Sequence, residues 1–172
     1  TLTGGSGAVG VLMTDGSFAA NKRRRLVGGV NQAAPQFHAL CRWGIERIER
    51  GVPALLQQFM VTDSIAVLKY GVELGQRTWR AFLAKLNWML DHIDKVICHQ
   101  VGATHRDTVL DSLGIDRAKD YCTFEHLGNM GTVSLPLTAA LAEERDFLRT
   151  GHRVGFLGIG SGLNCLMLGL EW

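Results

Sequence analysis

The sequence predicts a layered α/β fold, with helices packed on a mixed sheet. Three observations carry that prediction. Helix-like and strand-like segments alternate from Asp63 to Glu171. The segment Asp63–Leu86 repeats apolar residues at steps of three and four, which is the signature of one buried helix face. The last two strand-like segments are joined by a Gly-rich turn, so at least one pair is an antiparallel hairpin.

The elements follow in order. Ala8–Thr14 reads as a buried strand that ends at an Asp15-Gly16 turn. The chain opens without Met a short step before that strand, and a core strand needs neighbours. The expectation is therefore the C-terminal part of something longer. Leu26–Asn31 is a second strand, after the polar run "NKRRR". Lys22 to Arg25 in that run read as a solvated loop, with contact to a phosphate-bearing carrier as the alternative. "HALCRWGIERIERG" reads as helical, and "PALLQQFMV" as an apolar segment after Pro53.

Asp63 is a suitable N-cap for the long helix. Its predicted apolar face is Ile65, Leu68, Val72, Trp79, Phe82, Leu83 and Leu86. Gly71 and Gly75 are four apart, which predicts close approach of another backbone. The charged and polar residues of this helix, Lys69, Glu73, Gln76, Arg77 and Arg80, argue against a membrane dimer motif. Val96–His99 is the next strand. A helix follows over Ala103–Leu113, with Gly114 as its C-cap. Tyr121–Phe124 reads as a short strand, Ser134–Leu148 as a helix with Pro136 in its first turn, and His152–Leu157 as a strand. "GIGSG" makes a tight turn into a final strand, Leu163–Glu171. The expected division is residues 1–61 as the end of an N-terminal half and a connecting segment, and residues 62–172 as the C-terminal domain.

Bulk properties narrow the function classes. A chain of 172 residues is long enough for a real core, and 47% hydrophobic with 20% charged residues excludes a disordered chain. A net charge of +2 gives no general attraction to nucleic acid. Cys41, Cys98, Cys122 and Cys165 are irregularly spaced, three of them in apolar runs. That pattern predicts reduced thiols in a cytoplasmic protein. No apolar run is long enough to span a bilayer.

Three constellations offer chemistry. Cys98-His99, Cys122-x3-His126 and His38-x2-Cys41 carry metal-ligand types, but none has CxxC or HExxH spacing, and Cys98 is expected to face away from His99. Gly158-x-Gly160-x-Gly162 is Gly-rich but leads into a strand, so it lacks the helix N-terminus of a nucleotide site. It reads as a hairpin turn, or as a turn whose N–H groups face a developing oxyanion. Last, His99 ends a core strand and Asn129 lies between Gly128 and Gly131. Each has a bland reading, a satisfied structural imidazole and an αL-tolerant turn residue. Together, on the carboxyl edge of a parallel sheet, they are two donors for one carbonyl oxygen.

"ICHQVGATH", "EHLGNMGTVSLPL" and "VGFLGIGSGLNCLMLGLEW" resemble the C-terminal half of the thiolase superfamily, above all 3-oxoacyl-ACP synthase III and its relatives. The likeness runs from about Gly4 to Trp172 and is strongest from Val96 onward. "TGGSGAVGVLMTD" is similar to the strand that closes the family's N-terminal half. The resemblance implies a thiolase-like layered fold and a Cys-His-Asn site. His99, in an "HQ" pair, and Asn129, in a "GN" pair about thirty residues later, are the matching positions. Ser161 falls where the family's last loop supplies an oxyanion-hole N–H. "GIGSGLNC", "CRWG…MVTD" and the "EHLGNMG" loop lean toward the condensing enzymes of long-chain olefin biosynthesis, which join two fatty acyl-CoAs to a β-keto acid. The housekeeping synthase, which joins acyl-CoA to malonyl-ACP, is the alternative, and a non-catalytic structural subunit is another.

The family's nucleophilic Cys lies in its N-terminal half, and none of the four Cys here has its context. The implied partners are thus a Cys-bearing N-terminal half, as a separate chain or a missing segment, acyl-CoA or acyl-ACP thioesters, and a second copy in a dimer. The implied chemistry uses no cofactor and no metal.

Overall fold

The computed structural model describes residues 4–17, 24–48 and 55–172. Its strands are β1 (Arg25–Ala33), β2 (Cys41–Ile48), β3 (Leu55–Thr62), β4 (Lys95–Cys98), β5 (Arg153–Gly160) and β6 (Asn164–Glu171). Four of them form one sheet in the order β1-β6-β5-β4. β6 runs antiparallel to both neighbours, and β4 runs parallel to β5. The mixed sheet and its closing hairpin match the sequence prediction. β1 pairs with β6, so the sheet draws on residues from both sides of the predicted 61/62 division.

Four α-helices accompany the sheet: α1 (Ser64–Leu86), α2 (Ala103–Leu113), α3 (Phe124–Leu127) and α4 (Ser134–Glu144). Strand alternation gives the sheet two buried faces. Val96, Cys98, Leu157, Cys165 and Met167 pack with Leu74, Trp79 and Phe82 of α1 and Leu110 and Leu113 of α2. Ile97 and Val154 point the other way, onto Ala139 and Ala142 of α4, with Leu148 and Trp172. The result is a helix–sheet–helix stack, the layered α/β fold the sequence predicts. Phe82 is enclosed by aromatic rings, with Trp79 at 5.4 Å and Trp88 edge-on at 5.9 Å. Such pairs add to the burial free energy by about 0.5–1.5 kcal/mol each.

The caps of α1 and α2 are as expected. Asp63 accepts a hydrogen bond from Ala66 N at 2.9 Å. Gly114 closes α2 in the left-handed region at φ 69°. The buried face of α1 is Gly71, Leu74, Thr78, Trp79 and Phe82, whereas Ile65 is 83% exposed. In that first turn Val67, and not Ile65, packs against the core. A Cβ on Gly71 would meet the Ile159 side chain, and one on Gly75 would meet nothing within 4 Å among the described residues. Among the described residues the expected close backbone contact is absent at both, and the two glycines instead border a cavity.

Five further expectations are corrected. Ala8–Met13 is neither paired nor buried: Leu12 is 87% exposed. An apolar run supplies side chains for a strand, but the ladder needs a partner, and within the described residues the nearest bridge, Gly4 to Asn129, lies before the run. "CRWGIERI" is strand β2, not helix, after a 3-10 turn over Pro35–Leu40. Gly44 weakens a helix there, and full cross-strand pairing with β3 decides the outcome. The rest of that predicted helix, Glu49, Arg50 and Gly51, lies outside the described residues, as do residues 52–54. Tyr121–Thr123 is irregular rather than a strand, and Phe124 opens a short helix. α4 stops at Glu144, with Asp146 at φ 57° ending any continuation to Leu148. The "GIGSG" turn is also narrower than expected, because Gly158–Gly160 belongs to β5 and the reversal is Ser161–Leu163.

Of the basic run, Lys22 and Arg23 lie outside the described residues. Arg24 pairs with Glu143, and Arg25 pairs with Glu171 at 2.7 Å. No helix among the described residues is long and apolar enough to cross a membrane.

Candidate active site

β4 delivers His99 to the carboxyl edge of the sheet. The parallel ladder pairs Cys98 with Leu157, and His99 N–H extends it by donating to Leu157 O at 2.8 Å. His99 therefore leaves the sheet with a fixed backbone and a half-buried ring. The ring lines a small cavity with Cys98, His105, Gly75, Leu157 and Ile159. At about 30 Å3 this cavity admits a water-sized group and not an acyl chain. Cys98 and His99 both border it, because His99 lies past the strand end and escapes the strict alternation that ends at Cys98.

Burial lowers the His99 pKa below its ordinary value, and His105 in the same cavity lowers it further. Burial also lowers the His105 pKa. Both rings are therefore neutral near pH 7, each with one N–H to donate. The Nδ1 atom of His105 is buried without a hydrogen-bond partner among the described residues.

The strand end is clamped from below. Asp120 Oδ1 accepts from Cys98 N at 3.3 Å, and Asp120 Oδ2 accepts from Arg106 Nε of α2 at 2.5 Å. Burial raises the Asp120 pKa, with Arg106 opposing the rise. Burial and the nearby Asp120 carboxylate push the Cys98 thiol well above its ordinary pKa. Burial raises Cys165 as well. Neither thiol is a ready nucleophile, since the thiolate is the reactive form. Among the described residues no cluster of His, Cys, Asp and Glu could hold a metal ion.

Asn129 is set by a turn rather than a strand. α3 makes one turn, Gly128 takes φ 66°, and the chain enters the loop at Asn129. The Asn129 Oδ1 atom accepts from Gly131 N at 2.9 Å. An N–H can only donate, so the carboxamide orientation is fixed, and Nδ2 is left without an acceptor among the described residues. The backbone carbonyl of Asn129 accepts from Gly5 N at 2.8 Å. A Cβ on Gly5 would fall 1.8 Å from Leu127 O, so only glycine allows this approach.

Ser161 opens the reversal between β5 and β6, is exposed, and accepts from Asn164 Nδ2 through its carbonyl at 3.1 Å. His99 and this turn follow the ends of parallel neighbours, so they leave the same edge of the sheet. Asn129 and Ser161 do not line the His99 cavity. Three residues beside the site were not singled out by sequence. Gln100 and His105 flank His99 within the "HQVGATH" stretch, and Gly5 sits in the Gly-rich opening.

Comparison with known proteins agrees with this architecture. Residues 83–172 match the family described as 3-oxoacyl-acyl-carrier-protein (ACP) synthase III, C terminal. The chain is 52% identical to an acyl-CoA:acyl-CoA alkyltransferase of Shewanella oneidensis, over 100% of this chain and 49% of that protein. It is 34% identical to the enzyme of the same name from Xanthomonas campestris, over 99% of this chain and 47% of that protein. The crystal structure of cerulenin-bound OleA from Xanthomonas campestris superposes with a TM-score of 0.75 at 36% identity, over 87% of this chain and 40% of that one. The chain thus spans about half the length of the curated relatives it matches. It belongs to the family of thiolase-fold condensing enzymes typified by 3-oxoacyl-ACP synthase III.

Proposed function

We propose that this chain carries the His and Asn of a Cys-His-Asn site that condenses two fatty acyl-CoAs head to head to a β-keto acid. The observation that carries the reading is the 52% identity, along the whole chain, to a protein named for acyl-CoA:acyl-CoA transfer. The neutral His99 and the unengaged Asn129 Nδ2 support it, because each has an N–H to donate.

In the proposed reaction a Cys thiolate outside these residues attacks one acyl-CoA and expels CoA thiolate. The acyl oxygen rests against backbone N–H groups, that of Ser161 among them. A base outside these residues removes an α-proton from the second acyl-CoA. His99 Nε2–H and Asn129 Nδ2–H hold the resulting enolate oxygen. The enolate carbon attacks the acyl-Cys carbonyl. The new C–C bond forms as the C–S bond to Cys breaks, and the β-ketoacyl-CoA is hydrolysed by water to β-keto acid and CoA.

Residues 62–172 then form the C-terminal domain. Residues 1–61 end the Cys-bearing half and lead into this domain, with β1 as the strand they add to its sheet. The assembled enzyme is a cytoplasmic dimer. A second reading, condensation with malonyl-ACP, is favoured by the family description itself. It needs no base, since loss of CO2 generates the enolate.

The test uses the enzyme complete with its Cys-bearing half and lauroyl-CoA. His99→Ala and Asn129→Ala are each expected to cut β-keto acid formation by about 10²–10³, while the acyl-Cys adduct still forms. Unchanged condensation in both variants refutes the assignment. Product only with malonyl-ACP selects the second reading.

A further inference from the structure

The residue after His99 is buried, polar and fully engaged. Gln100 is 3% exposed. Its Oε1 accepts from Thr123 N at 2.9 Å and from Thr123 Oγ1 at 3.2 Å. Its Nε2 donates to Tyr121 O at 3.2 Å. The Thr123 hydroxyl is also 2.8 Å from that of Thr138 on α4, which donates to it once Thr123 donates to Gln100. The amide orientation is dictated by backbone: Thr123 N–H can only donate and Tyr121 C=O can only accept.

These bonds explain why Tyr121–Thr123 is not a strand. The carboxamide of Gln100 takes the N–H and C=O that a neighbouring strand would otherwise pair. They also join the two proposed donors by a short mechanical path. His99 and Gln100 share a peptide bond. Thr123 precedes α3, whose single turn is held by Leu127 N–H to Thr123 O at 2.9 Å and by Gly128 N–H to Phe124 O at 2.9 Å. Asn129 follows at once.

We infer that Gln100 is a positioning residue that sets the spacing between His99 and Asn129 by fixing the Thr123–Leu127 turn to the strand end. The inference rests on the proposed enolate site. Two donors converging on one oxygen tolerate little displacement, and a misplacement of about 1 Å can cost on the order of 10² in rate.

The informative variant is Gln100→Glu. An ionised carboxylate keeps the acceptor for Thr123 but turns a bare oxygen toward Tyr121 O. A protonated one restores the donor. Burial raises a carboxyl pKa, so protonation is reached on modest acidification. The titratable and charged neighbours are Cys98 and His99 on the strand end, His105 and Arg106 on α2, and Asp120 and Cys122 before α3. Thr138 of α4, which the Thr123 hydroxyl contacts, is uncharged. Burial and His105 lower the His99 pKa, so that ring protonates at a lower pH than an ordinary imidazole.

The experiment again uses the complete enzyme with lauroyl-CoA, and it reads acyl-Cys formation by intact mass and β-keto acid formation separately, across the neutral and mildly acidic range. Gln100→Ala is expected to acylate like wild type and to condense roughly 10²-fold more slowly. Gln100→Glu is expected to match it at high pH and to recover as pH falls, by up to about tenfold per unit while mostly ionised. Condensation unchanged in Gln100→Ala overturns the inference. So does equal loss of acylation and condensation with no recovery of Gln100→Glu at low pH, which would mark a purely structural role. A wild type that acylates but yields no condensation product overturns the underlying reading instead.

Discussion

Arg106 Nε lies 2.5 Å from Asp120 Oδ2, and the other oxygen of that carboxylate holds the Cys98 N–H beside His99. The carboxylate side chain is 1% exposed and the guanidinium 25%. One ion pair thus fixes α2 and the end of β4 together.

Arg106→Ala leaves a buried carboxylate unpaired, at a cost of about 3 kcal/mol or more. Burial already holds the folded Asp120 pKa above its ordinary value of 3.8, and loss of Arg106 raises it further. Between the unfolded and folded values the native state binds the extra proton, so stability falls as pH rises through that window. Thermal melting should show the variant closer to wild type in mild acid than in mild base. Equal deficits under both conditions contradict this.

The His99 pKa is lowered from 6.5, first by burial and second by His105. The neutral ring is the donor in the proposed reaction, so the acid limb of condensation should lie below pH 6.5. The folding contribution has the same sign: a depressed imidazole pKa loses stability as pH falls below the unfolded value toward the folded one. His105→Gln should move the acid limb upward, by less than the whole shift, because burial remains. Imidazole NMR titration measures both values directly.

Gly5→Ala is a small change with a large expected effect. The new methyl would meet Leu127 O at 1.8 Å and break the Gly5–Asn129 pairing. Displacing the Asn129 loop should reduce condensation by about 10², with acyl-Cys formation retained. A variant with wild-type condensation would show that the Gly5 contact does not set Asn129.

Asp63→Ala removes the side-chain cap of α1. It should cost about 1 kcal/mol in a urea titration, with no change in either half-reaction. A loss of activity would mean that α1 registers in the site through Gly71 and Gly75, which border the His99 cavity.

The layered fold is legible because α1, α2 and the closing hairpin carry strong local signals: Asp63 and Gly114 act where the sequence places them, and the hairpin forms with its reversal at Ser161–Leu163 rather than across Gly158–Gly162. The β2–β3 pair is not legible, since Gly44 and the spacing of Trp43, Ile45 and Ile48 fit neither period cleanly, and the pairing that decides it is tertiary. The turn before Asn129 is hidden for a related reason. A single side chain, Gln100, replaces a strand partner 23 residues away, and no periodicity records that. His99 is visible as a polar end to an apolar strand, but the proposed pairing with Asn129 rests on motif resemblance, because Asn129 follows a helical turn and not the strand end expected from the sequence.

The proposed chemistry turns on His99 and Asn129 holding one enolate oxygen between them. A crystal structure of the complete enzyme, acylated on its Cys and bound to a second, non-reactive acyl-CoA thioether ketone, would show that oxygen directly. The ketone oxygen is expected at about 2.7–3.1 Å from both His99 Nε2 and Asn129 Nδ2. A ketone oxygen bound to neither, or held by other donors, would contradict the proposal.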